Sequence, residues 1–408
     1  MKICIIGAGA AGCFCSILLK RKLPEAVVEV FEAGKRPLAK VAVTGGGRCN
    51  LTNSFRQVKQ LKQAYPRGEQ LMKRALRRWS QEDTMAWFEQ EGVQLITQED
   101  ECVFPVSQDA MQIVSMLLER MSEENVILHT SHKINDITPE QEGYSVSFAD
   151  EHKKPRHFDK VVCTMGGFPT IDRFDLFRHL TGLTIANPVP SLFTFCIKDS
   201  SLTSLMGCVV EPVTASIAGT KMRAEGALLV THWGLSGPAI LRLSSYAARY
   251  LAEHHYQAQL CINWLNAQGE QEALTQLRDL QYESARRQVA NEYPRQLSAK
   301  LWQHLLCRAH IDLQKRWNEL SQRDLNRLCA TLTSDVYQIE GKGQYKEEFV
   351  TCGGIDLACI NISTLEARQH PGLFFAGELL DVDGITGGFN LQAAWSMAAV
   401  VADSIAQN

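Results

Sequence analysis

Residues 2–22 read KICIIGAGAAGCFCSILLKRK, and the order of elements in this segment predicts the fold. Lys2–Ile6 is a short apolar run typical of a strand, Gly7–Gly12 is a turn, and Cys13–Leu23 has the composition of an apolar helix. Val27–Glu32 then has the pattern of a second strand. A strand, helix and strand in this order form a right-handed crossover, which starts a parallel sheet with helices on its faces.

The three glycines of the turn have the spacing of a dinucleotide-binding fingerprint. Gly7 would make the tight turn, Gly9 would let a pyrophosphate approach the backbone, and Gly12 would allow the helix to pack on the strand. Glu32 ends the second strand 20 residues after Gly12, where an acid can bind ribose hydroxyls. This acid favours FAD or NAD over NADP, while the alternative is a purely structural glycine-rich turn.

Length and composition bound the possible classes of protein. A chain of 408 residues suggests two or three domains, and 45% hydrophobic with 21% charged residues is typical of a globular protein. Its net charge of −3 favours no partner. Thirteen cysteines include no Cys-x-x-Cys pair, which favours free thiols in the cytoplasm over a metal site or disulfides. No apolar run is long enough to predict a membrane span.

The start of the chain has a second interpretation. Ala10-Ala-Gly-Cys13 resembles a lipoprotein cleavage site, but the apolar run before it is short and interrupted by glycines. We therefore interpret this segment as part of the fold.

Composition changes along the chain predict its organisation. Helices are expected at 80–92 and 109–122, and strands at Tyr144–Phe148 and Lys160–Cys163. After Asn187-Pro-Val-Pro190, short strands at 193–197, 208–217, 222–230 and 258–264 suggest a small barrel or sandwich, and 270–332 has helical spacing. Strands return at 349–355 and 373–376, with a closing helix from about Leu391. The predicted domains are a nucleotide-binding domain (1–189 and 345–408), a barrel (190–264 and 334–344) and a helical domain (265–333).

Three further glycine-rich segments could approach the same nucleotide. Thr44-Gly-Gly-Gly-Arg48-Cys-Asn50 could bring backbone N–H groups and a guanidinium to phosphates, or lie against a flat ring. Val161–Gly167 is a strand that ends in small residues. In Gly372–Gln392, an acid follows a strand-end glycine and a helix follows Gly388, so the positive end of that helix can point at a flavin edge. NAD has no such requirement, so this segment favours FAD.

Taken together, these motifs resemble one family along essentially the whole chain. GAGAAG (7–12), TGGGRCNLTN (44–53), THWGLSGPAIL (231–241), TCGGI (351–355) and GLFFAGELLDVDGITGGFNLQAAWSMA (372–398) are similar to the BaiN/RdsA-type (YhiN-like) NAD(P)/FAD-dependent oxidoreductases. This family includes ribosomal RNA dihydrouridine synthase. The resemblance implies an FAD-binding Rossmann-like domain (GR2-like) built from both chain ends, with an inserted β-barrel domain and a small helical domain.

The resemblance also implies a set of cofactor contacts. Glu378 departs from the wider two-dinucleotide flavoprotein pattern, in which aspartate is commoner at this position. The residues expected to bind FAD are Gly7, Gly9, Ala10, Ala11, Gly12, Glu32, Ala33, Lys40, Thr44, Gly45, Gly46, Arg48, Cys49, Asn50, Thr164, Gly166, Gly167, Gly354, Gly377, Glu378, Asp381, Gly388, Asn390, Leu391 and Gln392.

The catalytic residues and the electron donor are less constrained. No second GxGxxG follows a strand, so electrons would come from transiently bound NAD(P)H, from the substrate or from another carrier. His232 could shuttle a proton, or it could anchor its loop. Arg48 and Cys49 are further candidates, and Cys49 could instead be a packing residue.

Three functions fit these features. Residues 56–78 contain eight Lys or Arg and one acid, Glu69, which could attract a phosphate backbone or form an ordinary solvated face. Arg286, Arg287, Arg295, Arg308 and Arg316 in the helical segment are nearly balanced by acids. Family members reduce uridine in large-subunit ribosomal RNA, oxidise small amines or reduce steroid-like substrates. The leading hypothesis is uridine reduction; the alternatives are a small-molecule oxidase or reductase and a non-catalytic flavin-containing RNA-binding factor.

Overall fold

The computed structural model describes residues 1–343 and 350–407, which divide into two compact units. The first unit comprises Met1–Pro190 and Val350–Asn408, and the second comprises Ser191–Phe349. The predicted boundary at 344/345 and the predicted strand start at Phe349 lie outside the described residues. The three-domain division of the sequence therefore stays a prediction. Among the described residues, no helix is long and apolar enough to cross a membrane.

The first unit contains the predicted crossover. Its strands are Lys2–Ile6, Val27–Phe31, Thr52–Asn53, Leu95–Thr97, Cys102–Pro105, Ile127–His129, Ile134–Pro139, Tyr144–Phe148, Arg156–Phe158, Lys160–Cys163, Ile185–Ser191, Val350–Ile355, Ile360–Asn361, Glu366–Ala367 and Leu373–Phe375. Its α-helices are Ala10–Lys22, Ala39–Gly47, Leu61–Ala64, Glu69–Arg78, Gln81–Gln90, Ala110–Glu123 and Phe389–Gln407. Its 3₁₀ turns are Ile171–Phe177, Leu357–Cys359 and Gly377–Leu379.

Five parallel strands form the centre of this unit. Their spatial order is Ile127–His129, Val27–Phe31, Lys2–Ile6, Lys160–Cys163 and Leu373–Phe375. Apart from the first and outermost strand, they are almost wholly buried, as expected for a parallel sheet covered on both faces. Because a strand from near the C-terminus completes the sheet begun at residue 2, the Rossmann-like fold assembled from both chain ends is confirmed.

The first and last helices pack against each other on one face of the sheet. The first helix starts at Ala10, three residues earlier than expected, because Gly9 already serves as its N-cap. Both helices are buried along most of their length. The Phe14 ring meets the Trp395 ring edge-on at 5.4 Å between centroids, an arrangement that stabilises aromatic pairs. The C-terminal helix is thus part of the nucleotide-binding core.

The second unit holds the predicted barrel strands and the helical segment. Its strands are Phe195–Cys196, Val209–Ile217, Arg223–Thr231, Gly234–Ser236, Ala258–Asn263, Asp335–Ile339 and Gly341–Lys342. Its helices are Ser200–Thr203, Pro238–Tyr246, Ala248–Glu253, Glu270–Glu283, Ala299–Arg308 and Gln322–Thr333, with 3₁₀ turns at Val289–Asn291 and Trp317–Glu319.

The chain segment 335–342 closes the strands of the second unit into a barrel. Asp335–Ile339 pairs with Ala258–Asn263 at one edge of the sheet, and Gly341–Lys342 pairs with Phe195–Cys196 at the other. Only Glu340 separates the two pieces, so the two sheet edges meet there. The sequence predicted the other long strands and assigned 334–344 to the barrel, but it did not predict this closing strand. Barrel strands and helices share a continuous hydrophobic core in this unit.

Candidate functional site

The turn after the first strand is closely packed on one side and open on another. A Cβ at Gly12 would lie 2.0 Å from the Gly7 carbonyl oxygen, so the helix can approach the turn this closely only with glycine at position 12. A Cβ at Gly9 would meet no heavy atom within 4 Å. No side chain caps this helix, which leaves its first N–H groups to a ligand. The turn has the form of a pyrophosphate site.

Glu32 lies against this turn. Its Oε2 accepts a hydrogen bond from the Ala8 N–H at 2.9 Å, and its Oε1 accepts one from the Gly34 N–H at 2.7 Å. Each carboxylate oxygen has a second lone pair, so these two bonds hold the side chain in place and still leave acceptors for ribose hydroxyls. Ala33, also predicted to be a contact, follows directly and is exposed.

The glycine-rich loop 44–50 is attached to a short helix but is not itself helical. Gly45, Gly46 and Gly47 all have positive φ, and Cβ atoms at Gly46 or Gly47 would meet nothing within 4 Å. Arg48 leaves this loop exposed, with its guanidinium 4.4 Å from the centroid of the Phe104 ring and its Nε donating to the Gly45 carbonyl at 3.1 Å. The flat ring that Arg48 contacts is thus a side chain of the protein.

Cys49 differs from Arg48 in being completely buried. Desolvation raises the pKa of its thiol to about 12, although a hydrogen bond with Thr44 acts in the opposite direction. A neutral, buried thiol is neither a nucleophile nor a titrating acid at physiological pH. The geometry favours the packing interpretation that the sequence left open.

Strand ends from the middle and the end of the chain meet around Glu378. Its Oε1 accepts from the Thr351 N–H at 2.7 Å, and its Oε2 pairs with Lys40 Nζ at 3.1 Å. A Cβ at Gly167 would lie 2.5 Å from Glu378 Oε1. Thr164, a few residues earlier, places its hydroxyl 2.9 Å from the Gly7 carbonyl oxygen. These contacts connect Glu378 to the opening turn.

The start of the last helix contacts the residues that follow the glycine loop. A Cβ at Gly388 would lie 2.2 Å from the Thr52 carbonyl oxygen. In the amide orientation that satisfies both neighbours, the Asn50 side-chain oxygen accepts from the Gly388 N–H at 3.2 Å. The Thr52 hydroxyl donates to Gln392 Oε1 at 2.6 Å, and Gln392 is fully buried. The predicted cofactor contacts Asn50, Gly388 and Gln392 therefore lie together, linked by direct contacts to one another or to Thr52.

Several other predicted contacts shape the loops of the site. Asp381 Oδ1 accepts from the Gly353 N–H at 3.1 Å. Asn390 holds Gly384 from both sides, donating to its carbonyl at 2.9 Å and accepting from its N–H at 2.8 Å. These bonds explain why the segment before the last helix keeps its form. Direct cofactor contacts by Asp381 and Asn390 stay predictions.

All the predicted cofactor residues lie in the first unit, whereas His232 lies in the second. His232 is an exposed residue between strands Arg223–Thr231 and Gly234–Ser236, with its ring 3.8 Å from the Trp233 ring. The sequence reasoning missed Phe104, Thr351 and the ion pair between Arg67 and the fully buried Asp383. Thr351 and Asp383 did carry a signal, because both lie in segments that resemble the family, TCGGI (351–355) and 372–398.

Comparison with known proteins identifies the family of this chain. The family model described as "HI0933-like protein Rossmann domain" matches residues 1–404. The chain is 31% identical to the ribosomal RNA dihydrouridine synthase of Escherichia coli strain K12, covering 98% of this chain and 97% of the relative. It is 26% identical to a 3-dehydro-bile acid delta(4,6)-reductase of Clostridium scindens, covering 97% and 96%. The family resemblance stated from the motifs is confirmed.

A solved structure shows the same fold. The 3-ketosteroid-delta4-(5alpha)-dehydrogenase of Rhodococcus jostii RHA1, solved with 4-androstene-3,17-dione, aligns over 100% of this chain and 96% of its own, with a TM-score of 0.52 and 14% identity.

Proposed function

The chain belongs to the HI0933-like family of Rossmann-domain, flavin-dependent oxidoreductases, and from this premise we propose that it binds FAD and reduces uridine to dihydrouridine in large-subunit ribosomal RNA. One observation carries the proposal. The helix that follows the opening turn packs against the last helix, and the strand that follows the glycine loop is hydrogen-bonded to that same helix, all within one unit. The near-full-length relative from Escherichia coli supports the choice of substrate.

The described residues fit an FAD molecule. The backbone at Gly9 is open where a Cβ would sit, and the helix that follows it has no side-chain cap. Glu32 has acceptor capacity left for a ribose, and the Gly46–Gly47 backbone is likewise open. These residues would hold the adenosine and the phosphates. The rest of the FAD molecule would be held by Glu378, Lys40 and the start of Phe389–Gln407.

When bound, FAD supplies the hydride that this chemistry needs. The chain supplies binding and electrostatics. The N-terminus of Phe389–Gln407 would place a partial positive charge beside a bound flavin, and Lys40 pairs with the Glu378 carboxylate. Reduction of the uracil C5=C6 bond adds a hydride at C6 and a proton at C5.

Three residues are candidates for the proton step. His232 is exposed and has the appropriate chemistry for a general acid. Arg48 would act as an electrostatic group, because a guanidinium keeps its proton. Cys49 is the weakest candidate, since its thiol is buried and its pKa is raised to about 12. We propose His232 as the acid and Arg48 as a substrate or cofactor clamp.

The uracil must leave its stack to be reduced. Bases inside a helix are inaccessible to an enzyme's active site, so the substrate would be single-stranded or partly assembled ribosomal RNA. NAD(P)H is the proposed electron donor, and it would bind only transiently, because no second dinucleotide fingerprint follows a strand in the sequence.

The proposed function is tested by gene deletion combined with chemical analysis of the ribosomal RNA. Deletion of the gene should remove dihydrouridine from large-subunit ribosomal RNA, measured by nucleoside mass spectrometry. Wild-type chain should restore it, and Gly388→Asp, designed to exclude flavin, should not. Unchanged dihydrouridine after deletion would contradict the substrate, and restoration by flavin-free Gly388→Asp would favour a binding factor without catalysis.

A second candidate function is reduction of a small enone. The relative from Clostridium scindens is named as a bile acid reductase, and that reaction also concerns a double bond near a carbonyl group. The two candidates are separated by mixing the reduced protein anaerobically with either ribosomal RNA or a steroid enone. Reoxidation of the flavin by the enone alone would favour the small-molecule reductase.

A further inference from the structure

The basic segment found in the sequence forms an exposed surface of the first unit. Seven of its eight cationic residues are exposed, and we call them the basic surface: Arg56, Lys59, Lys62, Lys73, Arg74, Arg77 and Arg78. The eighth, Arg67, is largely buried and pairs with Asp383. Within residues 1–343 and 350–407, no carboxylate lies within 4.0 Å of any of the seven. None of the seven is therefore neutralised by a direct ion pair among these residues.

Four of these cations lie on one face of helix Glu69–Arg78. At 3.6 residues per turn, Lys73, Arg74, Arg77 and Arg78 fall within an arc of about 140°. Arg77 and Arg78 also complement the negative end of the helix dipole, as is common for basic residues in a last turn. Lys73 and Arg74 lie in the middle of the helix, so the dipole does not account for them.

The opposite face of this helix is buried in the protein. Leu71, Met72 and Ala75 are at most 2% exposed. The chain then continues to Trp79, whose carbonyl accepts a hydrogen bond from Ser396 in the last helix at 2.7 Å. An amphipathic helix that binds a membrane inserts its apolar face into the lipid. That face is occupied here, which argues against a lipid surface as the partner.

The same segment is attached to the candidate flavin site. Arg67 forms a two-pronged ion pair with Asp383, and a Cβ at Gly68 would lie 2.4 Å from a Val382 methyl group. The Tyr65 hydroxyl donates to the Phe389 carbonyl, at the start of the last helix, at 2.9 Å. The basic surface therefore has a fixed position relative to the loop that leads into this helix.

We propose that the basic surface docks the phosphate backbone of RNA and delivers a single-stranded segment to the flavin site. Four of the seven residues are arginines, whose planar fork matches phosphate oxygens. The inference rests on the proposed function only in identifying this RNA as ribosomal. Docking itself follows from the exposed cations without direct ion pairs, the covered apolar face and the fixed attachment to the site.

The experiment measures RNA binding by the FAD-loaded full chain. The test variant carries Lys73→Gln, Arg74→Gln, Arg77→Gln and Arg78→Gln. The control carries Arg286→Gln, Arg295→Gln, Lys300→Gln and Arg323→Gln, four exposed residues of the second unit without a carboxylate within 4.0 Å in the described part of the chain. The probe is an unmodified transcript of large-subunit ribosomal RNA, titrated by fluorescence anisotropy at several salt concentrations.

The proposal predicts weaker binding by at least about tenfold for the test variant, with flavin content unchanged. The slope of log affinity against log salt is negative, and each lost phosphate contact reduces its magnitude by about 0.7 to 0.9, so the magnitude should fall by about 3. The control should bind like the wild type. Equal losses in both variants, or none in the test variant, would overturn the proposal.

Two further outcomes distinguish RNA docking from membrane binding and from uridine reduction. Loss of binding to phosphatidylglycerol vesicles by the test variant, with RNA binding retained, would overturn the proposal in favour of a membrane partner. If the test variant loses RNA binding but gene deletion leaves ribosomal dihydrouridine unchanged, the docking surface stands and the uridine substrate falls.

Discussion

Gly388 and Thr52 are in such close contact that a Cβ on Gly388 would lie 2.2 Å from the Thr52 carbonyl oxygen. This contact joins the start of the last helix to the strand that follows the glycine loop. Gly388 also has a φ of +87°, a conformation that side chains rarely adopt. The helix N-terminus proposed to face the flavin thus depends on a residue without a side chain.

Gly388→Ala should therefore remove most of the bound flavin. The added methyl group must displace either the Thr52 backbone or the helix start, and either movement changes the cofactor site. We expect flavin per polypeptide to fall by about tenfold or more, since about 1.4 kcal/mol of lost binding energy suffices for that. Visible absorbance relative to protein concentration measures it.

The matched control is Gly207→Ala. Gly207 has nearly the same φ, +88°, but a Cβ there would meet nothing within 4 Å. Both variants carry the same backbone strain, about 1 kcal/mol, so only the Gly388 variant should lose flavin. Equal flavin loss in the two variants would contradict the role given to the contact with Thr52.

Glu32→Gln should weaken FAD binding without unfolding the chain. The carboxylate accepts from two backbone N–H groups, and an amide offers only one acceptor oxygen. With its one oxygen held by the backbone, the amide loses a charge-assisted hydrogen bond to a ribose hydroxyl, which costs about 1.5 to 3 kcal/mol and raises the dissociation constant about tenfold to a hundredfold. Quenching of FAD fluorescence on titration gives that constant. Glu25→Gln, at an exposed acid without an ion pair among the described residues, should leave it unchanged.

Arg67→Met should destabilise the first unit strongly. Asp383 is fully buried, so removal of its partner leaves an uncompensated buried charge, at a cost of about 3 to 5 kcal/mol. Adding Asp383→Leu should recover part of that loss, because it removes the charge itself. Urea unfolding of the wild type, both single variants and the double variant gives the coupling energy. Additive effects would show that the pair is not coupled.

Cys49→Ala should retain both flavin and activity. Burial raises the pKa of this thiol to about 12, with a smaller opposing contribution from Thr44, so the thiol stays protonated between about pH 6 and pH 9. It therefore contributes no inflection to a pH–rate profile in that range. Turnover within about twofold of the wild type is expected. A loss of a hundredfold or more with flavin retained would instead make Cys49 catalytic.

The sequence predicted those parts of the fold that depend on local pattern. Strand Lys2–Ile6 was predicted with the boundaries that the structure has, because a short apolar run before GAGAAG has one favoured conformation. The turn glycines and Glu32 were found for the same reason, since the fingerprint is contained within about 30 residues. The C-terminal strand and helix were placed in the same domain by motif chemistry and by family resemblance.

The contacts that shape the site could not be predicted because they join distant residues. Glu378 meets Thr351 and Lys40, and Arg67 meets Asp383, in each case through the tertiary fold. Helix Glu69–Arg78 was not predicted either, because a ten-residue segment with only three buried residues among its basic ones has few apolar positions to mark a helical period. The sequence placed a domain boundary at 333/334, but it did not predict the closing barrel strand Asp335–Ile339, whose pairing with Ala258–Asn263 joins distant residues.

Anaerobic reoxidation of the purified, NADPH-reduced protein by unmodified large-subunit ribosomal RNA tests FAD binding and uridine reduction together. We expect that the chain carries FAD, that NADPH bleaches its visible absorbance, and that RNA restores the absorbance with one dihydrouridine formed per flavin. A protein that is colourless and does not take up added FAD would contradict the flavin site itself, on which the proposed reaction depends.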